Sequence, residues 1–136
     1  KKSGVSDKKD KFEIVTTVIG RVCDEEEVDE YLYPARNVYT LYVGGMGAKS
    51  KNFYYNLFCE YGYGDIADEL QNLYLSGNKK ESEKMFPKEL LEELTLVGTK
   101  KDIEKKIEKW KESNVTEISL SLPIDFETVK FIKELL

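Results

Sequence analysis

One segment, residues 12–22 with the sequence FEIVTTVIGRV, constrains the fold of this chain more than any other. Ile14, Thr16 and Val18 alternate with Val15, Thr17 and Ile19, so both faces of an extended run are apolar or β-branched. A strand of that kind must be covered on both sides, as strands of a parallel sheet are when helices pack on each face. An α/β fold is the expectation. A second strand is predicted over residues 117–122, with Ile118, Leu120 and Leu122 on one face and Ser119 and Ser121 on the other.

Between the two strands the pattern is helical. Asp24 is placed to cap a helix whose first turn holds Glu25, Glu26 and Glu27, where negative charge meets the positive end of the helix dipole. That helix is expected to run towards Val43 with an interruption near Pro34, and to end at Gly44, Gly45 and Gly47. Further helices are predicted from near Asn52, over residues 65–76, and as two short ones over 79–86 and 87–94. Thr99 suits the N-cap of a helix through Ser113, with Asp102 completing a capping-box-like pair and Ile103, Ile107 and Trp110 as the apolar stripe. Asp125 caps a terminal helix buried through Phe126, Val129, Ile132, Leu135 and Leu136.

The predicted order is strand, long helical region, strand, helix, with residues 1–11 as a flexible N-terminal segment and 12–136 as the folded part. Two parallel strands do not make a stable sheet, because each keeps unpaired edges. The missing strands are expected from an N-terminal part of a longer polypeptide or from a second copy in a homo-oligomer. The chain begins with Lys1 rather than Met, in keeping with the first of these.

Composition narrows the chemistry. The 21 basic and 26 acidic residues give a net charge of -5, which argues against nucleic acid as the main partner. Histidine is absent and the two cysteines, Cys23 and Cys59, form no CxxC pair, so neither a zinc site nor imidazole catalysis is expected. No signal-like or membrane-length apolar run occurs, so no membrane span is expected, and reduced thiols in a cytoplasmic protein are the expectation.

Two motifs invite a functional reading. Residues 38–52, VYTLYVGGMGAKSKN, look like a phosphate-binding loop, but Ala48 stands before Lys49 where that loop needs glycine to turn its amides on the phosphate. A glycine-rich bend between helices accounts for the segment better. Phe53, Tyr54, Tyr55, Phe58, Tyr61 and Tyr63 could stack on a planar ring, although aromatics at helical spacing more often form core or interface. No carboxylate is singled out as catalytic.

Three stretches together carry a family resemblance: VGGMGAKSKNFYYNL at residues 43–57, the segment 74–110 with its LVGT before a helix, and NVTEISLSL at 114–122. They resemble the C-terminal third of luciferase-like monooxygenases, and above all the deazaflavin-dependent members that include methylenetetrahydromethanopterin reductases. The resemblance implies a C-terminal fragment of a TIM (β/α)8 barrel, with residues 12–22 as strand seven and 117–122 as strand eight. A whole barrel needs about 250 residues. It also implies an intact parent that uses a reduced deazaflavin coenzyme or FMN for hydride transfer or monooxygenation. The cofactor would be held largely by earlier strands, so the chain alone is expected to bind none and to be inactive. The alternative is a non-catalytic interaction or oligomerisation module derived from that family.

No catalytic residue is carried over from the family. Barrel active sites lie at the C-terminal ends of the strands, here Gly20, Arg21, Ser121 and Asp125, with Lys49 and Asn52 in the adjoining connection. Arg21, Lys49, Asn52 and Ser121 are the candidates for contact with a substrate or a cofactor tail. For Arg21 the competing expectation is an ordinary salt bridge.

Overall fold

A computed structural model of the chain describes residues 13–48, 51–121 and 125–136. Lys49 and the proposed flexible segment 1–11 lie outside them. Strand β1 (Val15–Val22) is followed by a 3-10 turn (Glu25–Glu27), helices α1 (Val28–Gly45) and α2 (Phe53–Phe58), a π turn (Cys59–Tyr63), and helices α3 (Gly64–Leu75), α4 (Lys79–Met85) and α5 (Lys88–Glu93). Strand β2 (Leu96–Gly98), helix α6 (Lys100–Lys111), strand β3 (Glu117–Ser121) and helix α7 (Phe126–Leu135) complete the order.

The sheet has three parallel strands in the order β2-β1-β3, not the two expected. The additional strand is the LVG of the LVGT motif, too short to alternate and therefore invisible to a period-based reading. It pairs with β1 only at Gly20, Arg21 and Val22, whereas β3 pairs with β1 from Val15 to Ile19. β1 is thus the central strand.

Consecutive residues of β1 enter different cores, as a strand covered on both faces must. Val18 joins Leu96, Ile103, Ile107 and Ile132 under α6 and α7. Ile19 joins Val97 and the larger cluster of Leu32, Ala35, Val43, Phe58, Leu70 and Leu91 under the helices between β1 and β2. Burial fades towards the start of the strand, where Val15 is 51% exposed.

Pro34 does not interrupt α1, contrary to expectation. An interior proline costs a helix about 3 kcal/mol, and the burial of Leu32, Ala35, Thr40 and Val43 on one face holds the helix together across it. Asp24 caps the 3-10 turn that leads into α1; its backbone N–H donates to Glu27 Oε2 at 3.1 Å. The caps at Thr99 and Asp125 form as expected, accepting from the Asp102 and Thr128 amides respectively.

At the end of α1, glycine is required for packing. A Cβ on Gly44 would stand 2.7 Å from Tyr74 Cβ and 2.8 Å from Tyr74 Cγ on α3, too near the backbone of that residue to be relieved by a rotamer change. Gly44→Ala gains up to about 1 kcal/mol of helix propensity but overpacks the crossing by about 1–3 kcal/mol. Urea denaturation should report a net destabilisation, and a stabilised variant would mean that α1 and α3 separate freely.

Candidate functional site

The C-terminal ends of β1 and β3 meet where the two helical layers part. The connection after β1 leads to α1 on one face, and the chain after β3 leads to α7 on the other. In open parallel sheets this is the position of a crevice available to ligands.

Arg21 spans the junction. Its guanidinium is ion-paired with Asp125, Nη2 donates to the Tyr31 hydroxyl at 3.3 Å, and the group lies 4.6 Å from the centre of the Tyr31 ring. Its buried Nε has no hydrogen-bond partner among the described residues. The expectation of a salt bridge and that of a strand-end arginine thus fall on one residue. The Val22 amide donates to the Thr128 hydroxyl at 2.9 Å, tying the end of β1 to α7 a second time.

Asp125 serves both α7 and Arg21. Its Oδ1 accepts from the Thr128 amide at 2.6 Å, and this backbone hydrogen bond, followed by the Thr128 hydroxyl and the Arg21 charge, holds its carboxyl below the usual range against the opposing effect of burial. Asp102 is lowered chiefly by the Thr99 hydroxyl, which donates to it at 2.6 Å. Both folded-state values are depressed, so the stability they supply is present above the unfolded-state value near 4 and is lost as pH falls through the folded-state values. Thermal melts below about pH 4 should therefore show a steeper loss for the native chain than for Asp125→Asn, and parallel curves would contradict it.

The remaining candidates separate. Ser121 ends β3 with Ile19 as its neighbour in register, on the same rim as Arg21. Asn52 is fully buried away from the rim and joins two helices. Its Nδ2 donates to the Tyr42 and Val43 carbonyls, both at 2.9 Å, and its Oδ1 accepts from the Tyr55 amide at 3.1 Å. Tyr31 and Thr128 belong to the rim although no local pattern marked them, since their bonds to β1 reach across 10 and 106 positions.

The aromatic residues form a shallow apolar recess of about 210 Å³ lined by Tyr39, Tyr42, Tyr54, Phe58 and Phe86 among others. Tyr42 and Tyr54 stack at 4.7 Å, while Phe58 is core. Both cysteines are free thiols, and burial pushes Cys23 up. Among the described residues no acidic or cysteine group could hold a metal, and no helix is long and apolar enough to cross a membrane.

Over 76 residues the chain is 34% identical to a Mycobacterium tuberculosis protein provisionally named a coenzyme F420-dependent oxidoreductase. The match takes in 56% of this chain and 22% of that protein. No family model matches the chain, and no solved structure matches it.

Proposed function

We propose that this chain is the C-terminal part of a luciferase-like oxidoreductase whose intact form uses a reduced deazaflavin coenzyme or FMN for hydride transfer or monooxygenation. The similarity to the mycobacterial protein carries the reading. The parallel sheet with helices on both faces accords with it: β1 and β3 are adjacent, as strands seven and eight of a barrel would be. β2 would then lie along the flank of β1 that strand six takes in a barrel.

Among the described residues, the candidate side chains do not make a cradle for a tricyclic ring. Arg21 is committed to Asp125 and Tyr31, its spare Nε–H is buried, and Asn52 is spent on backbone groups. The cofactor is assigned to the larger polypeptide, with this chain supplying part of the wall and Arg21 and Ser121 a position on its rim. Fluorescence titration of reduced coenzyme F420 and reduced FMN against the longer polypeptide and against the 136 residues tests this. Binding is expected to the longer form alone. Binding to neither would favour the second reading, a non-catalytic module, for which the two apolar clusters closed within the chain speak.

In either case the isolated chain is proposed to self-associate. The outer edge of β3 has no partner strand among the described residues, and Phe126, at the start of α7, is 77% exposed. Sedimentation equilibrium is expected to give a mass above 15.7 kDa. A monomer at all concentrations would refute it.

A further inference from the structure

The helices between β1 and β2 carry a second apolar surface, separate from the free edge of β3. At its centre is the recess of about 210 Å³ among α1, α2 and α5, and none of the residues lining it is charged. Its walls are rings held in place by one another: Tyr42 lies on Tyr54 at 4.7 Å and Tyr39 on Phe86 at 6.0 Å. The Tyr39 hydroxyl is spent on the Leu94 carbonyl at 3.3 Å. An apolar cavity of about 150 Å³ holds a benzene ring, so this recess has room for a phenyl side chain.

Phe53 stands beside the recess rather than in it. It is 68% exposed, and its ring meets that of Tyr54, on the recess wall, edge to face at 5.5 Å. Exposed apolar side chains continue around it. Tyr61, in the π turn, is 61% exposed, Leu94 follows α5, and Val38 and Met46 lie one turn before and after Tyr42 on α1. With Tyr54 these residues leave roughly 500 Å² in water, taking about 150–250 Å² for a whole large side chain. A standard interface takes about 800 Å² from each partner, of which a little over half, about 450 Å², is apolar. The patch therefore matches the apolar part of one side of a stable dimer.

We propose that a second copy of this chain docks on the aromatic surface about a two-fold axis, the Phe53 ring of each copy entering the recess of the other. A ring and a ring-sized recess side by side on one surface meet their counterparts when two copies are turned by 180°, which is the condition for an isologous interface. The proposal rests on self-association of the chain but not on the edge of β3.

Sedimentation equilibrium of three variants, each checked for an unchanged far-ultraviolet circular dichroism spectrum, separates the two surfaces. Phe53→Glu places a charge where the ring would be buried, at a helix start that suits it, and should weaken dimerisation more than about tenfold. Leu94→Trp, which crowds the mouth of the recess without adding charge, should weaken it as well. Phe126→Glu should leave a mass above that of the monomer. A native chain that is monomeric at all concentrations would overturn self-association and this surface with it. Association that survives Phe53→Glu and Leu94→Trp would overturn the aromatic interface alone and leave self-association standing. A photo-cross-linking benzoylphenylalanine in place of Phe53 in the longer polypeptide should join two copies at the recess. A link to upstream residues of the same copy would assign the recess to the parent chain and overturn the second copy as its occupant.

Discussion

Asn52→Asp should destabilise the chain by about 3–5 kcal/mol, enough to shift its urea midpoint far more than a surface change would. The side chain is fully buried, and its amide satisfies two carbonyls at the end of α1 while capping α2. Aspartate replaces the double donor with an oxygen facing the Tyr42 and Val43 carbonyls at the present 2.9 Å. Those two acceptors lose their partner inside the protein, where water cannot replace it. Asn52→Ala should cost less, since it removes the bonds without adding repulsion. If Asn52→Asp keeps full stability, the bonds to α1 are not what holds this junction, and a role in recognition returns for Asn52.

Leu32→Ala is expected to cost about 2–5 kcal/mol, a large share of the 5–15 kcal/mol that a domain commands. Leu32 is fully buried in the larger cluster, and its loss leaves a cavity under α1. Ile107→Ala acts on the other face of the sheet, in the cluster with Val18 and Leu96. The sheet keeps the two sites from sharing neighbours, so their effects should add within about 0.5 kcal/mol in the double variant. Strong non-additivity in urea denaturation would mean that β1 passes strain from one face to the other.

Much of this architecture can be read along the chain, because its signals are local. The double-faced pattern of β1, the caps at Thr99 and Asp125 and the apolar stripe of α6 all arise from neighbours within a few positions. β2 escaped because three residues set no period, and only its register against Gly20–Val22 makes it a strand. Pro34 misled because the local cost of proline was outweighed by burial, which depends on helices far along the chain. The rim was legible as a position, through Arg21, Ser121 and Asp125, but not as a set of bonds. Tyr31 and Thr128 take their parts through contacts that no spacing announces.

The central place of β1 has a consequence for how the chain comes off the ribosome. β1 is made well before β3, yet its longer pairing is with that strand, and Ile14 meets Thr116 across 102 positions. At roughly 5–20 residues per second, several seconds pass between the synthesis of the two strands. The helices between β1 and β2 can assemble first and bury Ile19, while Val18 and the opposite side of the strand wait for α6 and α7. During that interval a nascent chain carries half a sheet with one bare face. This is the stage at which a chaperone, or a neighbouring nascent copy, would find it.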